Sequence, residues 1–262
     1  MRESFVRREE EGEVVTLTLN RPERRNALSN ALVVGLGEQL SRLETSAGCR
    51  ALVLTGAGPV FCAGMDLKEA VAQVRTAEQE KRAIVEVQAI ADLLDQLHRF
   101  PKPTIAALNG DAFAGGAGLA LACDFVVASD HARVGFPEVR RGLVATIVMQ
   151  DLVRQVGERR ARALLLSGES ISASEAERWG LVTQVVEPGL CLLEAQRLAR
   201  SLRACAPLAL ATTKRMIDET LGRPSNLRGP AAVTAAVRVS EEAEEGMQAF
   251  LNKREPRWLS EA

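Results

Sequence analysis

The period of hydrophobic and polar positions changes several times along the chain, and each change marks an element. Val15, Leu17 and Leu19 alternate with Thr16, Thr18 and Asn20, which predicts a half-buried strand. Asn20-Arg21-Pro22 breaks it into a charged loop. Leu32, Leu36, Leu40 and Leu43 then recur at helical spacing behind Ser29, a capping residue. A β run, Ala51 to Thr55, feeds the turn Gly56-Ala57-Gly58-Pro59. From about Glu80 to Leu97, the positions Ile84, Val87, Ile90, Leu94 and Leu97 mark an amphipathic helix, stopped near Pro101 and Pro103. Thr104 to Leu108 and Phe125 to Ala128 are further strand candidates. Ser172 with Glu175 fits a capping box, Gly180 closes that helix, and an apolar run from Leu181 to Val186 follows. β and α units thus alternate at crossover spacing, which predicts an α/β core with largely parallel strands. Past about residue 190 the pattern turns helical: Leu192 to Leu202, Pro207 to Leu221, a turn at Arg223-Pro224-Ser225-Asn226, and a last stretch roughly from Ala231 to Lys253. The division expected is a core over residues 1–190 and a helical region over 191–262.

Composition narrows the class. The chain has 262 residues, enough to bury a substantial core, and its 47% hydrophobic and 26% charged residues are those of a soluble globular protein. A net charge of −1 gives no reason to expect a polyanionic partner, and with no Tyr, two Trp and seven Phe there is no stacking platform for single-stranded nucleic acid. The five cysteines are scattered and form no CxxC, which points to reduced thiols rather than a metal site or a disulfide framework. Met1 to Glu10 lacks an apolar stretch, so no secretory signal is expected, and no apolar run reaches membrane-spanning length. The expectation is a cytoplasmic protein with no membrane and no nucleic-acid partner.

The candidate chemistry starts at Phe113-Ala114-Gly115-Gly116-Ala117-Gly118, followed by an apolar run to Asp124. Three small residues, Ala114 to Gly116, open a helical segment and let a ligand approach bare backbone N–H groups, an arrangement suited to negative charge developing on a carbonyl oxygen. Tight packing at a helix start is the other reading of these glycines. Twenty residues beyond Gly118 stands Glu138, in Val134-Gly135-Phe136-Pro137-Glu138, an acid/base candidate or else a solvated or capping carboxylate.

Four segments in order resemble one family. They are Asn20 to Ser29, Phe61-Cys62-Ala63-Gly64-Met65-Asp66-Leu67-Lys68, Asn109 to Asp124, and Glu245 to Arg254. By these the chain is similar to the crotonase superfamily, the enoyl-CoA hydratase/isomerase group. The resemblance implies a spiral of ββα units with a C-terminal helical region that assembles trimers or hexamers. It implies an acyl-CoA thioester as substrate, with coenzyme A arriving as part of it and no separate cofactor or metal. The thioester oxygen would sit between the N–H groups of Met65 and Gly115, and Glu138 would handle the proton at the α-carbon. Arg24, Arg25, Ala63, Asp66, Leu67, Lys68, Gly116, Gly118, Phe250 and Lys253 match substrate- or CoA-contacting segments. At 118, family hydratases carry a second glutamate that helps to activate water, and this chain has glycine. One-glutamate isomerases of the family need only a single acid/base. A Gly here with the run Glu138-Val139-Arg140-Arg141-Gly142-Leu143-Val144 also resembles hydratases of branched methylglutaconyl-CoA. A decarboxylase, a thioester hydrolase and a non-catalytic acyl-CoA-binding homologue are the alternatives. His98, His131, Cys62, Cys123, Asp111 and Asp124 are expected to be structural.

Overall fold

The computed structural model describes residues 4–70, 77–223 and 226–260. Its first strand is one the hydrophobic pattern hides. β1 (Val6–Glu11) has one buried side chain followed by five exposed polar ones, and is held by antiparallel pairing to β2 (Val14–Leu19). Charged side chains suit an edge strand, where they discourage further pairing.

After a 3-10 turn at Pro22–Arg24, Ser29 accepts the Leu32 N–H at 3.3 Å and caps α1 (Asn30–Glu44). Three ββα units follow. β3 (Ala51–Gly56) and β4 (Val60–Cys62) lead through the short α2 (Leu67–Ala70) to α3 (Ala77–His98). β5 (Thr104–Leu108) and β6 (Asp111–Phe113) lead to α4 (Gly115–Ala122). β7 (Phe125–Ser129), β8 (Arg133–Gly135) and a 3-10 turn at Pro137–Arg141 lead to α5 (Thr146–Ser167). β9 (Ser170–Ser172), α6 (Ala173–Trp179) and β10 (Gln184–Val186) complete the sheets. The first strand of each unit joins a six-stranded sheet ordered β1-β2-β3-β5-β7-β10, and the second joins a four-stranded sheet ordered β4-β6-β8-β9. Among the described strands, only β1–β2 and β8–β9 pair antiparallel.

The remaining helices are α7 (Cys191–Leu202), α8 (Pro207–Thr220), α9 (Arg228–Arg238), α10 (Glu241–Leu251) and α11 (Arg257–Ser260). One face of the six-stranded sheet buries Leu17, Leu19, Leu52 and Leu54 in the main core; the other buries Val53, Ile105 and Val127 against Ala195 and Ala199 of α7. This corrects the half-buried reading of β2. Its polar face meets a helix, not water: Thr16 is buried, and Gln196 of α7 donates to its hydroxyl at 3.2 Å. Ala231 and Ala235 carry α9 into the main core.

Two other differences have local causes. The last helical stretch is two helices, because the Ser240 hydroxyl accepts the Ala243 N–H at 3.2 Å and starts α10 afresh. α5 has no counterpart in the sequence reading; Gly157, at φ 77°, interrupts it, and Arg159, Arg160 and Arg162 dilute its apolar face. Ser172 and Gly180 do cap α6 as expected, whereas Pro224 and Ser225 of the expected turn lie outside the described residues.

Candidate active site

The site is built on the loops that leave the C-terminal ends of parallel strands, the usual place for ligands in such sheets. Asn26 organises the first. Arg25 and Asn26 both adopt left-handed backbone, φ 51° and 52°, which turns the chain back across the sheet edge. The Asn26 amide then donates to the Ala57 and Val60 carbonyls at 2.9 and 2.7 Å and accepts the Arg21 N–H at 2.9 Å. Arg21 is paired with buried Asp66 at 3.1 Å, and the other Asp66 oxygen accepts the Lys68 N–H at 3.1 Å. The loop bearing Ala63 to Lys68 is thereby tied to the one bearing Arg24 and Arg25. Leu28 bridges it further, donating to the Gly64 carbonyl and accepting from Asp66.

The second loop meets the first at Gly64. A methyl there would stand 2.7 Å from Ala114 Cβ and 3.3 Å from the Gly115 nitrogen, and its φ of 87° is one glycine adopts freely. Ala114 pays for this approach with strain, since φ 53° and ψ −127° are costly for a residue with a side chain. Its own N–H is held by the Gly135 carbonyl at 2.9 Å, and the peptide that follows presents the Gly115 N–H at the start of α4. Among the described residues neither the Met65 nor the Gly115 N–H finds a protein acceptor. Two free donors, one at a helix N-terminus, are what a developing oxyanion requires.

Glu138 sits on the 3-10 turn over these loops. Phe136 before it is buried, and Leu143 donates back to the Glu138 carbonyl at 3.0 Å. The turn is clamped from outside by α10: a methyl at Gly142 would stand 2.4 Å from the Glu242 carbonyl oxygen, and one at Gly246 would stand 2.4 Å from the Arg141 carbonyl. The Arg141 guanidinium lies 4.1 Å from the centre of the Phe250 ring. Though Glu138 as a residue is partly exposed, its Oε2 is buried and has no hydrogen-bond partner. Burial pushes its pKa up from 4.5 to about 7; its own backbone N–H and the Arg141 charge act the other way and lose. A carboxyl that gains and loses its proton near neutral pH is suited to acid/base work.

A cleft of about 670 Å³ joins these parts. Its lining includes Met65, Gly115 and Glu138, the first-loop residues Ala63, Asp66 and Leu67, and Phe250 of α10. Arg24, Arg25, Lys68 and Lys253 contribute exposed cations to the same cleft. Two expected contacts are absent from it. Gly116 is glycine because β4 lies against it: a methyl would stand 2.3 Å from the Cys62 carbonyl oxygen. Gly118 faces the core, where a methyl would meet Val148 at 2.5 Å and Leu94 at 3.2 Å. In both the absence of a side chain is set by packing. Cys62 and Cys123 are buried thiols pushed up to about 12, which removes them as nucleophiles. His98 pairs with Asp218 at 2.7 Å and His131 with Ser129 at 2.8 Å; Asp111 and Asp124 accept the Arg133 and Thr104 N–H groups. Lining residues that were not among the expected site residues include Arg141, Ile147 and Thr234. Nothing local in the sequence marks Thr234, which reaches the cleft from the helical tail.

The family model described as enoyl-CoA hydratase/isomerase matches residues 9–261. A Thermus thermophilus protein provisionally named as an enoyl-CoA hydratase is 42% identical over 253 residues, covering 95% of this chain and 98% of its own. The 2,3-dehydroadipyl-CoA hydratase of Escherichia coli is 38% identical over 259 residues, 98% of each chain. Among solved structures, EchA1_1 from Mycobacterium paratuberculosis matches with a TM-score of 0.84 at 37% identity, over 98% of this chain and 99% of that one.

Proposed function

Because the chain belongs to the enoyl-CoA hydratase/isomerase family and so processes acyl-CoA thioesters, we propose that it is a one-carboxylate enzyme that moves a proton on an enoyl-CoA. The observation that carries this reading is Glu138, which lines the cleft with a buried, unpartnered carboxyl oxygen and a pKa that burial pushes up to about 7, in the same cleft as two unspent N–H donors. In a 3-enoyl thioester, the Glu138 carboxylate takes a proton from the α-carbon. The electron pair moves onto the thioester oxygen, where the Met65 and Gly115 N–H groups hold it. The same carboxyl then returns the proton at the γ-carbon, leaving the double bond between the α- and β-carbons. Each oxyanion donor contributes on the order of 10²–10³ in rate. Three carboxyl residues are among the described residues lining the cleft: Asp66 is spent on Arg21 and the Lys68 N–H, Glu23 is exposed, and Glu138 carries a buried oxygen without a partner.

A second reading is favoured by the relatives, which are named hydratases. Here the Glu138 carboxyl delivers its proton to the α-carbon while the water oxygen adds at the β-carbon, and the carboxylate left behind takes the proton that the water gives up. Incubating crotonyl-CoA and 3-hexenoyl-CoA separately with the protein in heavy water, and weighing the products by mass spectrometry, distinguishes the two. A shifted double bond with deuterium incorporation and no added water is expected; water added to crotonyl-CoA makes hydration the reaction. Silence with both, together with no exchange of the α-proton, defeats both and leaves an acyl-CoA-binding protein. The trimer that the resemblance implies is supported by exposed Leu208, Met216, Ile217 and Leu221 on and just after α8, and light scattering tests it.

A further inference from the structure

Away from the cations, Val87 and Ile90 of α3, Leu143, Ala145 and Ile147 line the cleft with hydrocarbon. Thr234 of α9 interrupts that wall, and among the described lining residues it carries the only hydroxyl. The place of its proton follows from its neighbours. The Thr146 hydroxyl oxygen lies 2.5 Å from the Pro230 carbonyl oxygen, which can only accept, so Thr146 donates there. A hydroxyl has one proton. The hydrogen bond between Thr146 and Thr234 therefore runs from Thr234 to Thr146. The other acceptor in reach is the Val144 carbonyl, 3.4 Å from the Thr234 oxygen, and it too belongs to the protein. On either assignment the Thr234 proton is spent on a protein acceptor, and what this hydroxyl offers a ligand is a lone pair.

A lone acceptor in an apolar wall discriminates between acyl chains. A plain hydrocarbon chain covers it and leaves it unsatisfied, whereas a chain bearing a hydrogen-bond donor satisfies it. We propose that Thr234 is a specificity residue that selects acyl chains carrying a hydroxyl beyond the β-carbon, with Thr146 and the Pro230 carbonyl fixing the direction of its hydrogen bond. This deepens the enoyl-CoA reading and rests on it for the identity of the ligand.

The test compares 3-hexenoyl-CoA, or 2-hexenoyl-CoA where hydration is the reaction, with its 5- and 6-hydroxy counterparts, by kcat/KM, on the wild type and on Thr234→Val and Thr234→Ser. At least one hydroxylated chain should be preferred by about 5- to 30-fold in the wild type, the size expected for one satisfied hydrogen bond. Thr234→Val should bring that ratio to about one, and Thr234→Ser should keep it. Thr146→Val, which leaves the Thr234 proton only the more distant Val144 carbonyl at 3.4 Å, should narrow the ratio and improve the 5-oxo chain, an acceptor only, relative to the 5-hydroxy one. Calorimetric Kd values for hexanoyl-CoA and its hydroxylated counterparts supply the same ratio without turnover. If no enoyl-CoA reacts but the binding preference is present and is lost in Thr234→Val, the reaction proposed above fails and the specificity stands. Equal values for plain and hydroxylated chains in the wild type overturn it, as does an unchanged ratio in Thr234→Val. A uniform fall in kcat on all chains in that variant also overturns it, since the Thr234 oxygen would then be serving the reacting water.

Discussion

Gly115 and Gly118 stand one turn apart on α4, and they lack side chains for opposite reasons. A methyl on Gly115 would meet only the side chains of Leu28 at 3.1 Å and Ile90 at 3.9 Å, and its value lies in an N–H left free at the cleft. A methyl on Gly118 would run into Val148 at 2.5 Å, and its N–H is already spent on the Ala114 carbonyl at 3.0 Å. The first glycine opens a site and the second closes one. So the second carboxylate that family hydratases carry at 118 has not left a hole for water here. Its space is filled with hydrocarbon from α3 and α5, and in the reaction proposed here the acid/base work falls to Glu138.

The largest effect expected from this contrast is on rate. Glu138→Gln keeps the shape of the cleft and removes the group that moves the proton, so turnover should fall by roughly 10²–10⁴ with little change in acyl-CoA affinity. Steady-state kinetics beside calorimetric binding reads both. Full activity in this variant would place the chemistry elsewhere in the cleft.

How far such a site is legible in sequence depends on whether the constraint is local. Ser29, Ser172 and Gly180 act on their own helices, and each could be read from its neighbours. Met65 and Gly115 lie in contiguous segments whose order carries the family, and Glu138 stands twenty residues past Gly118, so the resemblance pointed to all three. Gly116 and Gly118 lie in the same motif, yet what fixes them is the Cys62 carbonyl and the Val148 side chain, which only the folded chain brings close. Thr234 was invisible for the same reason: its meaning comes from Thr146 and Pro230, joined through the packing of α9 on α5. β1 failed the periodicity test because backbone pairing at an edge needs no alternation.

The contrast sharpens if 118 is refilled. Gly118→Glu pushes a carboxylate into the space of Val148 and Leu94, and overpacking together with an unpaired buried charge should cost roughly 3–5 kcal/mol. Adding Val148→Ala opens room beside it, so the double variant should recover about 0.5–3 kcal/mol of coupling. Denaturant unfolding of the two single variants and the double gives that number. If Gly118→Glu alone is tolerated and accelerates addition of water to crotonyl-CoA, the wall is softer than its packing indicates.

Proton linkage at Glu138 is the next effect in size. Burial raises its pKa from 4.5 to about 7, so the folded protein holds this proton more tightly than the unfolded chain does. That contribution to stability is complete below about pH 4.5 and is lost as pH rises through about 7. Above pH 7 the carboxylate costs the fold roughly 3 kcal/mol relative to an unperturbed one. Glu138→Gln should therefore be more stable than wild type at pH 8 by about 1–3 kcal/mol and nearly equal to it at pH 4.5. Because the carboxylate is the reactive form in the free enzyme, kcat/KM for the double-bond shift should fall tenfold per unit below about pH 7. A pH–rate profile that is flat from 5 to 8 would separate this carboxyl from the proton transfer.

The smallest effect tests why the open side of the comparison is held by an alanine. Ala114 adopts φ 53° and ψ −127°, a conformation that costs of order 1–3 kcal/mol for a residue with a side chain, and it sets the direction of the Gly115 N–H. Ala114→Gly relieves that strain but gives the unfolded chain more freedom to lose, so the two terms oppose and net stability should change by less than about 1 kcal/mol. The rate should respond differently. The Ala114 methyl packs against Gly64, where a methyl would come within 2.7 Å of it, and this contact keeps the two donor loops in register. Without it the Met65 and Gly115 N–H groups can drift, and a displacement well under 1 Å is enough to lower turnover several-fold while the melting temperature stays put. A variant that melts as the wild type does, yet turns over more slowly, would show that the strain at 114 is spent on aiming a donor. Unchanged turnover would mean that the clamp from α10 and the Asn26 hub already hold both loops without it.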